Sequence, residues 1–319
     1  WTENGNLRSY KFDLSTTSNY FGDGSDGAWT VSTDTTDAPI DSACTGTSGT
    51  YTLSATNVSF AADQVILIHQ TQGSGAGAWQ KNTILSYVAG TITLVNALNM
   101  TYTTGAQVIV MKQYTNVTIN SGKTLTAKAW NGTVGGIITF LANGTITVTG
   151  NIIATQKGFR GGAAGFAAAA TQAEGTAGAG SVSRSANGNG GGGGLRETVG
   201  SAHDAGGGGG GGNGSSGTDG SFNPQGGIGG NSSGATDLTT LTFGGGGGGG
   251  GGSLAEAGGD GAIGGGIITI AGVTITISGT IATNGGTGNS PSGGAGGGGG
   301  GGGSVLIKAQ TATLGATLI

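Results

Sequence analysis

Charge is scarce in this sequence. Asp, Glu, Lys and Arg make up 8% of its 319 residues, against about a quarter in an average protein, and the formal net charge is −4. No basic stripe is present to follow a phosphate backbone or an anionic bilayer, so no nucleic-acid partner is expected. The charge-rich composition of disordered chains is missing as well. Cysteine is down to one residue, Cys44, which excludes an intrachain disulfide. It reads either as a small buried hydrophobe or as an intermolecular crosslink. No stretch approaches the ~18 consecutive apolar residues of a membrane helix, so no membrane insertion is expected. The chain opens on Trp1 without a charged-then-apolar leader, which reads as a mature or truncated chain.

Glycine is what abounds, with 77 residues. All the Trp and Tyr residues precede residue 131, and most of the glycine follows residue 157. This break predicts two domains, a β-rich one over 1–157 and a glycine-rich one over 158–319. In the first, Gln64–His69 is a short apolar run, while 91–95, 107–111, 115–119 and 145–149 are alternating segments rich in Thr, Val and Ile. Period-two alternation of β-branched residues marks half-buried strands. Asn120-Ser121-Gly122 and Asn143-Gly144 are turn signals between them. No segment predicts a helix.

One unit recurs at 135–155, 265–283 and 302–319: two glycines, an apolar strand, a short connection, a Thr-alternating strand, a glycine and a short strand. Such a unit cannot cover its own apolar face, so copies are expected to stack. Between the copies lie the unbroken runs Gly190–Gly194, Gly206–Gly212, Gly244–Gly252 and Gly296–Gly303. A flexible linker is one reading. The other is a packed body of extended polyglycine II helices, with three residues per turn and a rise of ~3.1 Å, whose peptide groups bond to neighbouring chains. Apolar residues within the insertions (Phe159, Phe166, Phe222, Ile228, Leu241, Phe243, Leu254 and Ile263) favour the packed body. The fold class expected is all-β: an N-terminal β-sandwich or β-solenoid, then a body of packed polyglycine II helices with interleaved strands.

The segments Ile66–Gly73, Gly75–Trp79, Tyr102–Ile119 and Lys157–Gly162 together resemble a broad group of bacterial glycine-rich surface proteins. The glycine-rich half is also similar to phage tail-fibre adhesins and antifreeze proteins whose polyglycine helices pack in layers. This chain departs from those adhesins in its larger β front and in the β copies that interrupt its glycine region. The resemblance implies a surface or fibre location and a structural or binding role.

Catalytic signals are weak. His203-Asp204 is the nearest approach to a dyad, without a nucleophile elbow. His69 has no second His at ligand spacing and reads as a strand residue. Gly22–Gly27 holds Asp23 and Asp26, weak candidates for a hard cation against the simpler reading of a polar turn. Asp34, Asp37 and Asp41 are the carboxylates nearest to a hydrolytic pair. Asn57, Asn99, Asn116, Asn131, Asn143, Asn213 and Asn231 are glycosylation candidates by sequon. No cofactor is expected. The function expected is non-enzymatic: a subunit of an extracellular filament or cell-surface fibre whose main partner is its own copy. Contact candidates are Thr313, Leu314, Thr317, Leu318 and Ile319, which form a terminal strand suited to strand addition. The alternative is an adhesin, cell-surface or virion-borne, that binds a surface glycan or receptor through non-glycine loops. A third reading, ice binding, follows from flat Gly and Thr surfaces.

Overall fold

The structure, a computed structural model, describes residues 20–57, 59–196, 205–221, 225–253, 256–315 and 317–318. Every regular element among them is a β-strand. The described chain falls into two compact units, and neither is one stretch of sequence. One comprises 20–153, 268–282 and 305–318; the other comprises Ala154–Ile267 and Thr283–Ser304. The division in space therefore differs from a single cut at 157, because the strands of the second and third sequence copies join the first unit.

Along the chain the first unit begins with β1 (Trp29–Val31) and β2 (Thr35–Asp37). Six strands come next: β3 (Asp41–Gly46), β4 (Thr52–Ala55), β5 (Val65–Gln70), β6 (Trp79–Val88), β7 (Thr91–Leu94) and β8 (Tyr102–Val110). Then come β9 (Lys112–Tyr114), β10 (Val117–Ile119), β11 (Thr124–Ala127), β12 (Ile137–Val148) and β13 (Asn151–Ile153). The last four are β14 (Ile267–Ile277), β15 (Thr280–Ala282), β16 (Ser304–Leu314) and β17 (Thr317–Leu318).

The pairs β1–β2, β10–β11, β12–β13, β14–β15 and β16–β17 are successive coils of one stack. Their first strands lie in the order β1-β10-β12-β14-β16, and their second strands in the order β17-β15-β13-β11-β2. Sequence reasoning finds the last three coils and misses the first two. The register explains why the coils cohere. Val31 sits beside Ile119, and Ile119 beside Val148, so like residues form a column. Ser278 N–H donates to the Val148 carbonyl, placing Ile277 next in that column. All four side chains are buried. Full burial of one such side chain stabilises by about 2 kcal/mol over leaving it exposed. A parallel second column runs Leu125, Ile152 and Ile281, and Leu318 is the next residue in backbone register.

Strands β3 to β8 form a closed antiparallel barrel in the order β3-β4-β7-β6-β5-β8, inserted between the first and second coils. Closure removes the edges that an open sheet would present. Alternation fills its interior: Leu53, Ile66, Ile68, Ile84, Ile92, Leu94 and Val108 all point inward with Cys44. Cys44 is 4% exposed, and burial pushes its thiol well up, so this residue is a packed hydrophobe rather than an available crosslink.

In the second unit the glycine runs form no sheet, yet their peptide groups are bonded with a period of three. In the central run, Gly244, Gly247 and Gly250 donate to Gly265, Ala262 and Gly259. Gly245, Gly248 and Gly251 donate to Gly212, Gly209 and Gly206. Gly246, Gly249 and Gly252 donate to Glu174, Thr171 and Ala168. Its carbonyls accept from three further segments: Gly162 and Gly165, Gly191 and Gly194, and Ala295, Gly298 and Gly301. The run is thus enclosed by six extended segments.

No glycine of the four runs has a φ in the left-handed region, so conformational freedom is not why glycine is there. Steric room is. A Cβ on Gly248 would fall on the Gly192 carbonyl oxygen, and one on Gly247 on that of Gly298. Apolar anchoring is more selective than the sequence suggests. Phe159, Leu241 and Phe243 are buried, with the two Phe rings edge to face at 5.2 Å, whereas Phe166, Ile228 and Ile263 are exposed. Phe222 and Leu254 lie outside the described residues. Arg160 holds the buried Glu174 through Nε and Nη2 at 3.0 and 2.9 Å, and the Arg160 amide adds a third bond.

Candidate functional site

The last coil departs from the coils that precede it in the stack. In the column Val31, Ile119, Val148, Ile277, the next position is Leu314, since Gly315 N–H donates to the Ile277 carbonyl. Leu314 is 39% exposed, while the other four are buried to 1% or less. The change runs along the strand. Residues 267–272 of β14 and 304–307 of β16 are buried alike, but 310–314 of β16 are all exposed. Among the described residues β16 and β17 each have a strand neighbour on one side only, and β1 and β2 likewise end their sheets. Among the described residues both ends of the stack therefore present unpaired strand edges, of which the β16 end also exposes Leu314. Of the sequence candidates, Thr313, Leu314, Thr317 and Leu318 all lie on these two edge strands. Ile319 lies outside the described residues, as do His203 and Asp204.

The carboxylates have separate tasks. Asp23 accepts from the Ser25 amide at 2.9 Å, and hydrogen bonding from Ser25 leads the causes that lower its pKa. Asp26 pairs with Lys112 at 2.7 Å and accepts from the Gln113 amide at 2.7 Å. The two are turn and anchor residues, and among the described residues no three acidic, His or Cys side chains gather for a metal. Asp34 accepts from the Thr124 amide and so braces the corner of the next coil. Asp41 pairs with Lys128 at 2.9 Å. Asp37, opposite Ala127, is raised to about 7, first by burial and then by the charge of Asp41. His69 is buried and bonds Thr71 Oγ1 through Nδ1 at 2.9 Å, within a network that also joins Gln107 to Gly135.

Five sequon residues, Asn99, Asn116, Asn131, Asn143 and Asn231, are exposed. Asn57 and Asn213 are half-buried, and their amides donate to the carbonyls of Asp41 and Gly302. Sequence reasoning missed a depression on the barrel of about 360 Å³. It is lined by hydroxyl-bearing residues, among them Thr45, Thr47, Thr52, Ser54, Thr91 and Thr101. Cross-strand pairing creates it: Thr45 faces Ser54, and Ser54 faces Thr91. The alternation in β4 was its only sequence signal.

No protein family matches this sequence, and no curated protein does. Solved structures that are similar to it in part include two tailspikes. One is the tailspike gp61 of Pseudomonas phage phi297, at 12% identity and a TM-score of 0.21, over 40% of this chain and 24% of that one. The other is the tailspike gp49 of Pseudomonas phage LKA1, at 14% identity and a TM-score of 0.21, over 40% of this chain and 31% of that one. The similarity thus spans less than a third of either tailspike, and at this TM-score it carries no argument about function.

Proposed function

We propose that the chain is a non-enzymatic structural subunit of an extracellular filament or surface fibre, assembled head to tail. The last coil of one copy is covered by the first coil of the next. The observation that carries this reading is Leu314, exposed at a column position buried in every earlier coil. Covering it continues the column, and β16 and β17 gain a second strand neighbour, where the described residues give each only one. Such a contact is heterologous and does not close, so it propagates. In this reading the glycine unit is a rigid bundle of polyglycine II helices. Its support is the three-residue period of the bonds and the absence of room for any Cβ in the central run. The test is electron microscopy of purified protein lacking residues 312–319. Polymers of normal length from that variant would refute the contact.

The hydroxyl-lined depression supports a second reading, an adhesin that takes a surface glycan. Hydroxyls that both donate and accept suit a sugar. Calorimetry against a panel of oligosaccharides tests it, and Thr52→Val together with Thr91→Val is expected to abolish any heat observed.

A further inference from the structure

The run Gly296–Gly303 is enclosed on only part of its circumference. N–H groups of Ala295, Gly298 and Gly301 donate to Gly251, Gly248 and Gly245. Those of Gly297, Gly300 and Gly303 donate to Asn289, Gly286 and Thr283. Carbonyls of Ala295, Gly298 and Gly301 accept from Gly259, Ala262 and Gly265. Carbonyls of Gly296 and Gly299 accept from Gly208 and Gly211, and that of Gly302 from Asn213 Nδ2. Four directions are therefore filled. Among the described residues the N–H groups of Gly296, Gly299 and Gly302 have no partner, nor do the carbonyls of Gly297 and Gly300. A Cβ built on Gly296, Gly299 or Gly302 meets nothing closer than 3.6 Å, unlike those of the central run. The unused groups recur every third residue, so each set forms a straight row with about 9 Å between members.

We propose that this face is a lateral docking surface for a second copy of the chain, the donor row of one copy bonding to the acceptor row of another. Three observations select that occupant. The central run shows the chemistry that fills such a slot, an extended segment offering one carbonyl every third residue. A second copy's Gly296–Gly303 run carries no side chain that could hold the two backbones apart. The same run carries both rows, so each copy supplies what the next one needs. A contact between a donor row and an acceptor row is heterologous and repeats without closing. This association is distinct from stacking through β16 and β17 and adds thickness where stacking adds length.

The experiment separates the two contacts. Leu314→Asp blocks end-to-end stacking, and sedimentation velocity of that variant across a wide concentration range is expected to show reversible self-association. Adding Gly296→Leu and Gly299→Leu, where the bundle leaves room, is expected to weaken it about tenfold or more, the equivalent of one or two hydrogen bonds. An L314D protein that stays monomeric throughout, or association unchanged by the leucines, would overturn the proposal. If the leucine variant folds poorly, hydrogen exchange on L314D decides. The amides of Gly296, Gly299 and Gly302 must slow as concentration rises, and exchange independent of concentration would equally overturn it.

Discussion

Ile277 and Leu314 stand one above the other in the same column of the coil stack, joined through the Gly315 amide, yet only Ile277 is covered. The difference lies in their neighbours. Another coil lies over Ile277, and within the described residues none lies over Leu314. Replacing Leu314 with Asp is expected to abolish long polymers in electron micrographs. The isolated chain should keep its stability to within about 0.5 kcal/mol in a denaturant titration, since the side chain is exposed there.

Gly248 and Gly299 belong to runs that look alike in sequence and differ in surroundings. Gly248→Ala pushes a methyl group into the Gly192 carbonyl, with backbone on every side to resist it. A loss of about 3 kcal/mol is expected, at the upper end of overpacking costs. Gly299→Ala has room and removes unfolded-state entropy, so a change between zero and about 1 kcal/mol of stabilisation is expected. Chemical denaturation of the two variants side by side checks this.

Asp37 makes the stability depend on pH. Its folded pKa of about 7 exceeds the ordinary aspartate value near 3.9. Between those values the folded chain holds a proton that the unfolded chain has released. The contribution is therefore fully present below pH ~4 and lost as pH rises through ~7. Asp37→Asn should leave stability unchanged at pH ~4 and raise it by about 1–2 kcal/mol at pH ~8. Melting curves across that range read it directly.

Arg160→Ala would strand Glu174, which is 5% exposed, without its guanidinium. Breaking a fully buried pair costs about 3–5 kcal/mol, and the half-exposed Arg160 side chain lowers that to about 2 kcal/mol. Adding Glu174→Gln should restore part of the loss, which a double-mutant cycle measures.

The architecture was legible where side chains encode it. The copies at 135–155, 265–283 and 302–319 announced stacking because their apolar columns recur in the sequence. The coils β1–β2 and β10–β11 escaped notice because their strands are only three or four residues long and lack the leading Gly-Gly pair. Val31 and Ile119, each succeeded by a polar corner and then Thr, were the available signal. The barrel's closure through β3 and β8 was illegible, since alternation specifies faces and not which distant strand completes the ring. Glycine placed the packed runs without naming their neighbours: a residue with no side chain carries no mark of the segment it touches. The assembly candidates 313, 314, 317 and 318 were readable as a terminal strand, but the exposure of Leu314 needed the column beneath it.

The six-sided enclosure of Gly244–Gly252 also constrains how the unit comes into being. Its partners range from Gly162 to Gly301 in sequence, and few are local. Glycine offers no apolar side chain to hold a partial bundle together while the remaining segments arrive. The segment 295–301 is the last of the six to be synthesised, and the central run bonds to it along its length. Assembly of this unit must therefore wait for all six segments and then proceed as one cooperative event, slow in the manner of topologies ruled by distant contacts.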